Sequence, residues 1–318
     1  MRPCYLSILE GVLRNEGTMK KTSAFTTLLL FLTAIIWGFA FVAQVDGVTR
    51  VGSFTMNGVR FAIGTISLLP VVLIFEKGRT DRENRRRLIL SSLLTGTVLF
   101  CASTFQQLGI QYTGSAGIAG FITGLYTVLI PISCFLLFRQ RTGLNVWLGA
   151  IFAVGGLTLL CFRPGEGFSF GAGELLLLIG AFFWTAHVIL IDRLGKTLRP
   201  LHFSWGQFVV CTAWGLLSMF LFEEPTLVGV WNAKWAILYC GVLSVGVAYT
   251  LQVIAQRKAD PTFAAIVFST ESVFSAIGGV LFGIDRISWI GYVGCGLIFA
   301  GIVISQVKLQ RKKKNGAL

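Results

Sequence analysis

Charge is what this 318-residue chain has least of: 13% of its residues are Asp, Glu, Lys or Arg, about half the share typical of a soluble domain. A soluble fold could not cover its surface with so few charges, which excludes an ordinary soluble enzyme or binding module. Histidine occurs twice, and there is no H-E-x-x-H or P-loop pattern, so the chain offers neither a zinc-hydrolase core nor a cradle for nucleotide phosphates. Of the seven cysteines, Cys101, Cys134, Cys161, Cys211, Cys240 and Cys295 stand singly in apolar runs, without disulfide or metal-ligand spacing. They read as small packing residues, and neither a metal nor a cofactor is expected. Acidic residues are so scarce, 14 against 27 basic ones, that the net charge reaches +13. In a soluble chain such a balance would suggest nucleic acid.

What the chain has instead is apolar length: 54% hydrophobic residues, 37 glycines and a mean hydropathy of +0.76. A helix needs about 20 mainly apolar residues to cross the hydrocarbon core. Cutting the sequence at its charge, Pro and Gly clusters predicts ten such runs: 23–44, 53–75, 88–108, 115–138, 146–162, 171–191, 201–222, 235–255, 262–283 and 289–307. The predicted fold is therefore an all-α polytopic membrane protein, with the lipid bilayer as its solvent. Ten spans put both termini on one side. With that side inside, 22 of the 27 Lys and Arg fall in inner segments, four in outer loops (Arg50, Arg163, Lys234, Arg286) and one, Arg60, within a span. The positive-inside rule then places both termini in the cytoplasm, with a bacterial inner membrane as the expected location, and it removes the nucleic-acid reading. Residues 1–22 form a cytoplasmic tail, of which 1–18 could precede a true start at Met19, and 308–318 form a basic tail suited to a membrane surface. A hydrolase-like Gly167-Phe168-Ser169-Phe170-Gly171, with Asp192 and His202 following, is split by this topology: Ser169 falls outside, its would-be partners inside.

Sliding the chain by 147 residues lays Ala34-Ile35-Ile36-Trp37 on Ala181-Phe182-Phe183-Trp184, and brings Phe61 onto Phe208 and Glu76 onto Glu223. At 145 to 146, Gly96 meets Gly241, Gln107 meets Gln252, Gly149 meets Gly294 and Gly156 meets Gly301. A near-constant offset across five spans marks a duplication. Because five is odd, the copies, 23–165 and 166–307, enter the membrane in opposite senses. Inverted repeats are the architecture with which secondary transporters form two mirror-related states.

With Arg60-Phe61 in the second span, Pro131 in the fourth, Glu271 in the ninth and glycine-rich fifth and tenth spans, the chain resembles the EamA-like family of the drug/metabolite transporter superfamily. The resemblance implies a cavity formed by spans one to four and six to nine, and small-metabolite substrates, often amino acids and frequently exported. The chain departs from the pattern where Arg139-Gln140-Arg141 and Asp285 replace the Glu often found after spans four and nine, and where Ser272 replaces Pro after Glu271. Three functional classes remain open: a secondary transporter working by alternating access, a channel or lipid scramblase, and a non-transporting scaffold. A small-molecule substrate, protons as coupling ions and a homodimer are the partners compatible with the first.

Glu271 is the sharpest candidate. It stands near the middle of its span, where a carboxylate is costly unless paired or solvated, and it would serve either as a proton- or ammonium-binding group or as a hydrogen-bonded structural acid. Arg60 lies about 10 Å inside its span and would bind a substrate carboxylate, gate the path or snorkel as an anchor. Gln107, Gln252 and Tyr249 offer hydrogen-bonding groups, Trp37, Trp184 and Tyr126 are candidate cavity walls, and His187 is a candidate relay or helix-bonding residue. Gly120 with Gly124, and Gly279 with Gly283, fit small-xxx-small packing, and Pro131 marks a hinge.

Overall fold

The computed structural model describes residues 23–77, 82–138, 143–160, 162–163, 167–168, 170–259 and 261–306. Among them every regular element is helical except a two-residue strand pair, Phe162–Arg163 with Gly167–Phe168. The predicted tails and Ser169 lie outside the described residues. In chain order the helices are α1 (Ala24–Val48), α2 (Ser53–Phe75), α3 (Arg82–Thr113), α4 (Ala116–Gly124), α5 (Tyr126–Phe138), α6 (Leu144–Leu160), α7 (Ala172–Leu194) and α8 (Pro200–Phe222). They are followed by two short helices, α9 (Leu227–Asn232) and α10 (Lys234–Leu238), then a π-helix, Tyr239–Tyr249, then α11 (Thr250–Gln256), α12 (Pro261–Leu281) and α13 (Trp289–Gln306).

Among the described residues, seven helical stretches are long and apolar enough to cross a membrane, and three shorter apolar ones, Leu144–Leu160, Val267–Leu281 and Trp289–Ser305, accompany them. At 1.5 Å per residue the 17-residue α6 measures about 26 Å, a little short of the hydrocarbon core. With that many apolar helices the chain is a multi-pass membrane protein. Large apolar side chains such as Phe75, Phe220, Phe222 and Leu227 point outward, as a lipid-facing surface requires.

Local sequence sets the helix ends. Ser23 and Ser115 cap α1 and α4 by accepting from Thr26 N (3.2 Å) and Ile118 N (3.1 Å), and Pro200 begins α8 where a missing N–H costs nothing. The fourth predicted span is interrupted at Leu125, between α4 and α5, six residues before Pro131, which lies inside α5. The Thr127 hydroxyl donates to the Gly124 carbonyl (2.8 Å) and so satisfies a group that the break exposes. Gly283, at φ +68°, closes α12 in the left-handed conformation, with Ile284 N and Asp285 N both donating to Gly279 O (2.9 and 3.0 Å). It is a turn residue, with no side chain close enough for the packing role its spacing suggests.

The principal helix packing joins the first half of the chain to the second. α2 lies antiparallel to α8, and each is capped by the other's C-terminal carboxylate. Glu76 accepts from Leu201 N (3.1 Å) and His202 N (2.9 Å), while Glu223 accepts from Phe54 N (2.9 Å) and Thr55 N (2.8 Å). The two carboxylates and the amides they cap are related by the same spacing of 147, and so are Thr65 and Thr212, whose hydroxyls meet at 3.0 Å between them. α6 and α13 cross in the same reciprocal manner: a side chain at Gly149 would strike the Gly301 carbonyl, and one at Gly294 the Gly156 carbonyl. A third carboxylate, Asp285, accepts from Ala116 N (2.9 Å) and Gly117 N (2.7 Å) at the start of α4. Each of the three carboxylates satisfies helix N-terminal donors that apolar surroundings would leave orphaned, and places negative charge at the positive end of the helix dipole. Glu223→Ala is therefore expected to cost about 1–2 kcal/mol, read as a lower midpoint of unfolding in detergent. An unchanged midpoint would show the cap to be idle.

Candidate functional site

Where α1, α2, α3, α4, α5, α7, the π-helix, α11 and α12 converge, they line a narrow cavity with a free volume of about 30 Å³. Part of its wall is aromatic. Trp37 and Trp184, the two tryptophans related by the repeat, flank Tyr249, with ring centroids 4.8 and 6.0 Å from it. Phe61 and Phe208, also related by 147, pack on the same tyrosine at 6.3 and 6.0 Å. The Trp37 indole N–H donates to Ser244 O at 3.4 Å, which fixes the ring against the π-helix. Phe41 of α1 and Tyr126, at the start of α5, complete the aromatic lining.

The charges obey no such symmetry. Glu271, 3% exposed, projects from α12 beside the Tyr126 hydroxyl. α12 can approach α1 here because Gly38 has no side chain: a Cβ would collide with Phe274 and the Glu271 carbonyl. Arg60, 2% exposed, projects from α2 into the same cavity, with Cys240 and Tyr249 close by. Its guanidinium carbon lies 5.2 Å from the Phe61 ring centre. Among the described residues no carboxylate pairs with it, and its Nε and Nη2 have no hydrogen-bond partner. A buried guanidinium without a counter-ion is costly, and these two donors fit an anionic, planar ligand group.

The equivalent place in the second half is closed. Shifted by 147, Arg60 becomes Gln207, and Ala40 becomes His187. The His187 Nε2 and Gln207 Oε1 meet at 2.9 Å in a fully buried pair. In the first half the imidazole is replaced by the methyl group of Ala40, which lines the cavity next to Arg60. His187 is thus a helix-to-helix bonding residue here and does not line the cavity. The double variant Ala40→His with Arg60→Gln should rebuild the closed pair and fold stably while losing ligand binding, tested by unfolding and binding measurements side by side. Binding retained by it would show that Arg60 and the space beside it are dispensable.

Seven of the nine residues marked as candidate binding groups line this cavity: Glu271, Arg60, Gln252, Trp37, Trp184, Tyr126 and Tyr249. Gln107 does not; its side-chain amide donates to Gln44 O at 3.5 Å. Its neighbour Gln106 takes the place instead, with its amide donating to Thr123 Oγ1 at 3.3 Å. Gln44, Thr123 and Ser244 also line the cavity without having been marked. The small residues serve the packing around it. A side chain at Gly120 would meet Ser275, and one at Gly124 would meet Ser272, whose hydroxyl donates to Gly120 O at 2.8 Å; Gly279 is covered by Asp285.

Comparison with known proteins gives this geometry its setting. The model of the EamA-like transporter family matches twice, at residues 24–162 and 171–306. The chain belongs to the EamA-like transporter family. It is similar, at 27% identity over 88% of its length and 85% of the relative's, to an uncharacterized transporter of Archaeoglobus fulgidus. It is similar at 24% identity, over 88% of its length and 96% of the relative's, to the uncharacterized transporter YoaV of Bacillus subtilis. A crystal structure of a protein 20% identical shares the fold with a TM-score of 0.67, covering 89% of this chain and 97% of that one. As a transporter, the protein sits in the bilayer and binds small-molecule substrates.

Proposed function

We propose that this protein is a secondary active transporter that exports small zwitterionic metabolites, amino acids or closely related amphipathic solutes, by alternating access. The observation that carries the reading is the pair of single-copy charges in one cavity: the guanidinium of Arg60, whose Nε and Nη2 have no hydrogen-bond partner, and the carboxylate of Glu271. Arg60 would take the substrate carboxylate, Glu271 its ammonium group, and Trp37, Trp184, Tyr126 and Tyr249 its apolar body, with cation–π attraction adding to the ammonium site. Alternation of Glu271 between substrate and proton would couple export to a proton gradient.

The scaffold for this cycle is ten helices in two inverted repeats of five, 23–165 and 166–307, with both termini in the cytoplasm of a bacterial cell. The twofold contacts support that reading. The α2–α8 pair, with Thr65 and Thr212 at its centre, and the α6–α13 crossing relate the halves in the way an in-plane pseudo-twofold axis would, and rocking about them would open the cavity to each side in turn.

The test compares solutes released by cells making the protein with those released by cells making equal amounts of Arg60→Gln or Glu271→Gln. The reading expects at least one amino acid or related zwitterion to accumulate outside only with the unmodified protein. Release of the same solutes by all three would refute the assigned site. A conductance that does not saturate with solute would favour a channel instead.

A further inference from the structure

The two halves differ in one backbone feature beside the cavity. Residues 239–249 form an eleven-residue π-helix, whereas the matching stretch of α3 is regular α-helix. π-helices hold i to i+5 hydrogen bonds, are rare and are frequently found at functional sites. Contacts at each end count the residues that this one absorbs.

At its start, a side chain at Gly241 would strike Ile63 and the Arg60 carbonyl, while one at Gly96 would strike Val210 and the Gln207 carbonyl. These partners are related by 147, so Gly241 and Gly96 occupy equivalent places, 145 apart. At its end, Thr33 donates to the Ala248 carbonyl (3.5 Å), and its equivalent Gly180 faces the Ala102 carbonyl; Ala248 and Ala102 are 146 apart. The cavity repeats the shift: Gln252 shares it with Gln106, again 146 apart, and Gln107 faces elsewhere. The π-helix therefore holds one residue more than its counterpart. That extra residue puts Tyr249 and Gln252 in the cavity wall.

Resting on the alternating-access reading, we infer that this π-helix is a register switch that changes the recognition face of the cavity during transport. Inverted repeats produce their second state by exchanging the conformations of the two halves, so a π-helix present in one half in this state belongs to the other half in the opposite state. Relaxation of Tyr239–Tyr249 to α-helix, with its start held at Gly241, would advance the chain beyond it by one residue, about 100° and 1.5 Å. Ala248 would then replace Tyr249 between Trp37 and Trp184, and Leu251 would replace Gln252. The aromatic hub and one amide would leave the cavity together, and the bound solute would lose its grip. Gly241 and Gly246, within the segment, keep side-chain bulk away from α2.

The switch is tested by thiol labelling in a chain whose seven native cysteines are replaced, using a charged methanethiosulfonate that reacts only with water-exposed thiols, in membrane vesicles of both orientations. Gln252→Cys should react in either case. A switching helix also exposes Leu251→Cys, at up to about a tenth of that rate for a minor second register. Deleting lipid-facing Leu243 removes the extra residue, and should silence Leu251→Cys while leaving Gln252→Cys reactive. Ala248→Cys gives a second probe of the same exchange should Leu251→Cys fail to reach the membrane. Leu251→Cys and Ala248→Cys both silent in both orientations, with Gln252→Cys reactive, would overturn the switch. The labelling decides this whether or not any solute moves, so failure of the switch and failure of the transport reading are separable.

Discussion

Arg60→Gln is expected to lower affinity for the proposed zwitterionic substrate by about a hundredfold or more, the loss that follows when a buried charge-assisted pair loses one partner. The reason lies in what surrounds the guanidinium. Its Nε and Nη2 have no partner, Ala40 leaves space beside it, and Cys240 and Tyr249 are its polar neighbours. A ligand carboxylate would be the only strong acceptor available to these two donors, whereas Gln presents a neutral amide. Arg60→Lys keeps the charge but not the planar fork, and should recover only part of the loss. Binding titrations on purified protein, with the amine-only and carboxylate-only analogues of the substrate, check the assignment. The variant should discriminate against the carboxylate-bearing compounds less than the unmodified protein does. Equal affinity of both proteins for the zwitterion would remove Arg60 from the binding site.

On the proposed coupling, Glu271→Gln is expected to abolish accumulation driven by a proton gradient while leaving solute-for-solute exchange running at raised solute concentration, because the neutral amide holds the ammonium group more weakly. Glutamine keeps the size and hydrogen-bonding of the carboxyl beside Tyr126 but cannot carry or release a proton. Exchange needs only the bound carrier to reorient, and so survives; net uphill movement needs the empty carrier to return with its proton, and so stops. Vesicles with and without an imposed pH difference separate the two rates. A gradient response preserved in Glu271→Gln would assign coupling elsewhere and leave Glu271 as a structural acid. Loss of exchange at saturating solute together with accumulation would leave Glu271 with the ammonium-binding role alone and remove its separate role in coupling.

Much of the cavity can be read from residue type alone. Arg60 and Glu271 stand out because a charge within an apolar run is rare and expensive, and the tryptophans stand out because the repeat doubles them. Gln106 and Gln107 show where such reading stops. Adjacent residues on a helix point about 100° apart, and the choice between them was drawn from a repeat spacing that slips by one inside the π-helix. Nothing in Tyr239–Tyr249 marks it locally as π rather than α, because its composition suits either and neighbouring helices decide. The reciprocal caps were half visible: Glu76 and Glu223 matched by the repeat, but a carboxylate bonded to backbone amides more than a hundred residues away leaves no pattern in sequence. The interruption at Leu125 escaped for a related reason. Pro131 signals a weak point, yet the helix breaks a turn and a half earlier, where the Thr127 hydroxyl can satisfy the freed carbonyl.

The central claim is a saturable carrier that reorients around one occupied site. Counterflow in proteoliposomes tests it most directly: vesicles loaded with the unlabelled solute identified from the release experiment are diluted into a trace of the labelled form. A carrier takes up label transiently above equilibrium, the overshoot saturates with internal solute, and it is lost in Arg60→Gln. Label that only equilibrates, at a rate linear in solute and indifferent to Arg60, would contradict the account.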